Sequence, residues 1–468
     1  MSQFRNFLFS RNLHSGILLV IVALSVGIVV RAAPDPPTTL RLAGDEWFLD
    51  SLTKTGMIAV FEQKTGIHVE VLHKNDRAIM SDLDRGPSSD DGVLDVIAVR
   101  HRWLGSLVQK QQLRPIDSFL ADPKLHDPSF VPEQQLFSNW WHELSSYGDH
   151  IYGYPFTGLT TFLCYRKDLL DDPQNRREFE VRFHRTLTPP KSWEEYNQMA
   201  EFFTRPKQNF YGTYIQGKRG LALWYEWLNL VYSFGGNILD SKHGWEYGDI
   251  VINSPQNVAA AAEYLKLIQF SPPDTLQFGW NEAQSSLQQG KVFMGLLWSD
   301  QAPFLEEPAV SKVAGKIAYT SIPSNSGKPF SQLEGLTYLI PTESKHPDEA
   351  YRFLEFVISS EVQVQQTLHG GGSLRKSTYE DANVKELPYT SAFLAAMPVA
   401  QGKPTIPESS QMTDAMVARL SEIVGGKSTP QAGLDQCALD LKSILGAKAR
   451  LRFPVAREAS RNRTEHGK

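Results

Sequence analysis

The chain has 468 residues, room for two or three domains, and its 41% hydrophobic and 21% charged composition is ordinary for a folded soluble protein. A formal net charge of -5, with no acidic or basic block in the body, argues against nucleic-acid binding, which calls for a basic face. The only cysteines, Cys164 and Cys437, stand in no ligand spacing, which excludes zinc, iron–sulfur and CxxC chemistry; they read as buried free thiols, with a disulfide between them as the open alternative.

Arg5 and Arg11 precede an apolar run from Gly16 to Val30 that ends at Arg31-Ala32-Ala33-Pro34. A basic start, an apolar stretch and small residues after it describe a secretory signal over residues 1–33, with Val30 and Ala32 as a cleavage pair. An N-terminal membrane anchor is the alternative, although the run is shorter than the ~20 residues of a spanning helix. Pro34 to Pro37 reads as a stiff linker, and the body as periplasmic or extracytoplasmic.

The body opens with a strand at Thr39–Leu42, a helix from about Phe48 to Lys64 closed by Gly66, and a strand at Ile67–Val71. This β-loop-α-β order builds parallel sheet. Leu94–Val99 is a buried-type strand followed by Arg100-His101-Arg102-Trp103 and a short helix. Ile151–Phe156 and Thr161–Tyr165 read as two strands around Thr157-Gly158. Ser192 caps a helix running to Phe203, and an aromatic block, Leu223 to Leu228, ends at Gly235-Gly236. Ser254 caps a helix over 256–268, and strands follow at Val292–Leu297, Ile317–Ile322 and Thr337–Ile340. Helices then begin at His346, Met412 and Thr429, and residues 447–468 read as a loosely held tail. The pattern is one large α/β protein, expected to have two lobes.

Several segments carry a resemblance. They are Asp95–Val99 with Trp103-Leu104; Tyr152–Phe156 followed by Cys164–Leu169; Pro189–Glu195; Gln289-Gly290-Lys291 through Trp298; and Ser344–Ala350 through Phe356. In that order they resemble the family 1 extracellular solute-binding proteins, the group that contains the maltose-binding and other sugar-binding receptors. Leu296-Leu297 departs from the Gly-Pro usual there. The resemblance implies a two-lobed, type II periplasmic-binding-protein-like fold, each lobe a mostly parallel sheet flanked by helices. Crossing strands near 156–158, 333–337 and 369–373 would join a first lobe (38–156 plus 335–369) to a second (157–334 plus 370–446). It further implies capture of a solute, expected to be a carbohydrate, in the cleft between lobes, and delivery by hinge closure to the membrane permease of an ABC importer. The protein is expected to act as a monomer without cofactor or metal.

Ligands of open α/β sheets sit beyond the carboxyl ends of strands, which selects candidate residues. Trp298 ends a strand and matches the family's ring-stacking tryptophan. Asp45, Glu46 and Trp47 follow the first strand, where carboxylates can accept hydrogen bonds from hydroxyls. His101 follows the buried strand; Arg100 beside it is either a cleft residue or the partner of a surface acid. Trp224 and Tyr225 lie where the family places an aromatic platform, or form a plain core stripe. Thr157, Asp300, Glu334 and Arg375 fall at expected crossings or strand ends.

Receptors for a polyamine, a metal chelate or a phosphate ester are the main alternatives. Enzyme readings lack parts. His142-Glu143 begins a zinc-protease motif without its second histidine. His369-Gly370-Gly371-Gly372 looks like a hydrolase oxyanion loop, without a G-x-S-x-G elbow anywhere in the chain.

Overall fold

The computed structural model describes residues 38–86 and 92–452; the expected signal or anchor, the linker and the end of the tail lie outside them. Strands β1 (Thr39–Gly44), β2 (His68–His73) and β3 (Val96–Arg100) are parallel, with β1 in the middle. The single helix expected over 48–64 is two, α1 (Glu46–Lys54) and α2 (Met57–Thr65). Gly56 breaks it, with φ at 74°, a conformation open to glycine at no steric cost. Helix α3 (Asp76–Arg85), not expected from the sequence, is capped by the Asn75 side chain.

The two strands expected around Thr157-Gly158 are one, the 14-residue β4 (Gly153–Arg166). Strands β5 (Met294–Trp298), β6 (Ile317–Thr320), β7 (Ser331–Leu339) and β8 (Ala400–Gln401) complete the main sheet. Its path is β6-β4-β7-β3-β1-β2, with β5 on β4 and β8 on β7. β4 runs antiparallel to β5, β6 and β7, so apart from the short β7–β8 pair only the β1–β3 part of the sheet is parallel as expected. Pro155 lacks an amide proton, and the β4–β7 register shifts beside it, between Leu336 and Thr337, which lets the strand continue through a proline.

Three segments lie side by side at this crossing. Gly158 pairs with Gly335 on β7, and its amide donates to the carbonyl of Gly372 at 2.8 Å. The approach demands glycine: a Cβ on Gly372 would fall 2.0 Å from the Gly158 carbonyl oxygen.

The helices that matter below are α4 (Ser138–Ser145), α5 (Pro173–Phe183), α6 (Trp193–Phe203), α7 (Leu221–Ser233), α8 (Pro255–Leu267), α9 (Trp280–Gln288), α10 (Pro347–Val357), α11 (Ser360–Leu368), α12 (Ser409–Val424) and α13 (Pro430–Leu445). One apolar core packs β1 and β3 against α1, α2 and α10 through Leu42, Phe48, Phe61, Val96 and Phe353. A larger one gathers α6, α7, α8, α12 and α13 through Trp193, Trp227, Tyr264, Leu420 and Leu441. The two thiols are free and buried. Residues 449–452, expected to be loose tail, are held: Ala449 is buried, and Arg452 pairs with Asp240 and Asp249 at 2.8 and 2.7 Å. Among the described residues no helix is long and apolar enough to cross a membrane.

Candidate functional site

The carboxyl ends of β1, β3 and β5 converge on a cavity of about 370 Å³. Asp45, Trp47 and Phe48 enter from the start of α1, Arg100 from the end of β3, and Trp298 and Asp300 from the end of β5. Tyr225 of α7, Trp280 of α9 and Glu334 of β7 close it. A smaller chamber of about 220 Å³ adjoins it, sharing Trp47, Phe48, Asp300 and Phe304 and adding Thr157. Trp47, Trp280 and Phe304 are exposed by 43, 37 and 43%, an aromatic rim of the kind that marks a binding surface in a soluble body.

The Tyr225 ring touches both tryptophans, edge to face with Trp298 and tilted at 38° with Trp280. Tyr225 meets Trp298 at 5.5 Å between centroids and 86° between planes, and Trp280 at 6.3 Å. Arg100 lies over the Phe48 ring at 5.5 Å and donates to Asp76 at 3.0 Å. Asp76 also takes the Trp103 indole N–H at 3.1 Å, so one buried carboxylate orients the whole turn after β3.

Glu334 organises the floor. His101 Nδ1 lies 2.7 Å from its carboxylate and Lys403 Nζ 3.0 Å away, and the Tyr225 hydroxyl donates to it. Burial alone would raise this carboxyl, but Lys403 and then His101 outweigh it and hold Glu334 ionised, well below the usual range. Asp300 has less help: burial lifts it to about 6 against its own backbone N–H and Arg100.

Of the expected site residues, Asp45, Trp47, Tyr225, Trp298, Asp300 and Glu334 line the larger chamber, and Thr157 the smaller. Four do not. Glu46 is exposed outside the cavity, because consecutive residues on a helix point about 100° apart. Trp224 is turned from the cavity for the same reason and packs in the core at 4.8 Å from Tyr225. His101 is buried behind Glu334. Arg375 is drawn to Gln135 at 2.6 Å and the Ile358 carbonyl at 3.2 Å, over the Phe130 ring.

Arg100, left open by sequence, lines the cavity, and so do Trp280, Gln284 and Phe304, for which the chain offered no pattern. The His142-Glu143 pair belongs to neither chamber: His142 bonds Glu133 at 2.7 Å, and Glu143 lines a separate polar cavity with Asn139, Leu333 and Lys403.

A profile of the family described as bacterial extracellular solute-binding protein matches residues 45–364. The chain is 23% identical over 378 residues to a binding protein of Brucella abortus, covering 78% of this chain and 82% of that one. It is 25% identical over 260 residues to the mannitol-binding protein of Pseudomonas aeruginosa, 54% of each chain. An ABC transporter solute-binding protein from Agrobacterium radiobacter K84, solved with ribitol, is similar at a TM-score of 0.74 and 24% identity, over 87% of this chain and 100% of that one. The likeness in structure establishes the two-lobed α/β fold.

Proposed function

The chain belongs to the bacterial extracellular solute-binding proteins, and on that premise we propose that it captures a carbohydrate or polyol in the cleft between its lobes for an ABC importer. The observation that carries this is the juxtaposition of Trp298, Tyr225 and Trp280 with Asp45, Arg100 and Asp300 around one cavity. Sugars and polyols carry C–H faces that pack on aromatic rings and hydroxyls that bond to carboxylates and guanidinium, and a cleft with few convergent polar groups suits them. The mannitol-binding protein and the solute-binding protein solved with ribitol, both similar to this chain, support the same class.

The lobes are residues 38–156 plus 335–369, and 157–334 plus 370–446 with the packed residues to 452. They close about the three crossings, and the closed form is what the permease meets. Closure follows if the solute binds the closed form better than the open one. The N-terminal pattern exports the protein, which works as a monomer, with no catalytic step.

One observation favours a second reading. Arg100 beside Asp45 and Asp300 presents one cation and two acids, a set that also suits the carboxylate and ammonium of an amino acid. A thermal-shift panel of sugars, polyols, amino acids, polyamines and metal chelates separates them. Stabilisation by a sugar or polyol alone is the expected result; stabilisation only by amino acids or amines would replace the carbohydrate reading.

A further inference from the structure

The cleft has two chambers, and the smaller one is built as completely as the larger. Two buried polar atoms on its walls, Asp300 Oδ1 and Gln366 Nε2, have no hydrogen-bond partner among the described residues. Gln366, near the end of α11, is only 3% exposed, and its Oε1 is already used by Gln363 at 3.1 Å, so its amide N–H₂ is the group left open. The exposed His369 also lines the chamber, its Nδ1–H donating to the Gln365 carbonyl at 2.7 Å. Of these, the buried Asp300 Oδ1 and Gln366 Nε2 destabilise the fold when nothing pairs with them. Folding therefore spends stability on an acceptor and a donor around a space that Trp47 and Phe156 wall with rings.

The larger chamber has its own set, with Trp298 to stack on and Asp45 and Arg100 to bond hydroxyls. Nothing in it calls on Gln366 or His369. The chambers meet at Trp47, Phe304 and Asp300, which line both. A single hexose or hexitol would engage one set of groups and leave the other unmet.

We propose that the ligand is a carbohydrate of disaccharide length, whose second unit fills the chamber of Asp300, Gln366 and His369 while the first stacks on Trp298. This rests on the carbohydrate reading above. Asp300, at the waist, bonds beside the linkage between the units, and Gln366 selects for a hydroxyl on the second one. A site built to bond a hydroxyl rejects an analogue that lacks it far more sharply than an apolar pocket rejects a missing carbon.

The test is calorimetric titration of the intact protein with glucose, mannitol and ribitol as single units, and with maltose, trehalose, cellobiose and lactose as two-unit probes. At least one two-unit probe is expected to bind about tenfold or more tighter than the best single unit. Ser51→Phe, on the α1 wall of the smaller chamber, and Gln366→Met, which removes the open amide at similar volume, are each expected to lower that ratio about tenfold, with circular dichroism as the check on folding. A single unit that binds as tightly as every two-unit probe, or a ratio that neither variant moves, overturns the second subsite and leaves the carbohydrate reading standing. Failure of every sugar to bind, with an amino acid binding instead, overturns both.

Discussion

Trp298 should carry much of the affinity. It ends β5 at the cavity wall, and its edge-on contact with Tyr225 fixes the ring before any ligand arrives, so little ordering entropy is lost on binding. Trp298→Ala is expected to weaken sugar binding by about 2 kcal/mol, roughly 30-fold, with the far-ultraviolet spectrum unchanged. Glu226, one residue along α7 from Tyr225, belongs to the core: burial raises its carboxyl to about 7 against hydrogen bonds from Tyr264 and Gln216. Folded, it keeps a proton that the unfolded chain sheds near its ordinary value, so its contribution is complete below about 4.3 and is lost as pH rises through about 7. The wild type should therefore lose about 3 kcal/mol relative to Glu226→Gln between pH 4 and 8, read from urea melts at each pH. The same stretch shows how far sequence reaches at this scale. The aromatic block announced a platform or a core stripe, and helix geometry makes it both, with Tyr225 turned to the cavity and Trp224 and Trp227 to the core. Nothing in the local pattern says which of two neighbours faces the cleft.

At the scale of elements, β7 is the strand on which the site depends. It joins the parallel half of the sheet, through β3, to β4, and it delivers Glu334 to the floor. Its partners come from elsewhere in the chain: His101 follows β3, Tyr225 lies on α7, and Lys403 follows β8. Removing one member of such a buried charged set leaves the others unpaired, so Glu334→Ala is expected to cost about 3–5 kcal/mol in a urea melt. An unchanged midpoint would show that the set is not coupled to the fold. Most strands and the capped helices are legible in the sequence because their signals are local, as at Ser192 and Ser254, which cap α6 and α8 as expected. β4 reads as two strands because Pro155 and Gly158 are breakers in isolation; pairing with β7 and the shift in register overrule them. Lys403 carries no local signal, since its role depends on a partner on a different strand.

For the whole molecule, the order of motifs along the chain was enough to give the two-lobed fold, because that order carries the resemblance to the family. The cavity was not, because its walls come from α1, β3, α7, α9, β5 and β7, and only folding brings their ends together. Separate apolar cores lie on either side of the glycine-lined contact of β4 and β7, so the proposed closure would bend that contact without repacking either core. The most direct test of the central claim is a crystal structure with the best-stabilising sugar. Density is expected against the Trp298 ring, with hydroxyls in hydrogen-bond reach of Asp45 and Asp300. Sugar seated in the polar cavity beside Glu143, or on the outer surface with the cleft empty, would contradict it.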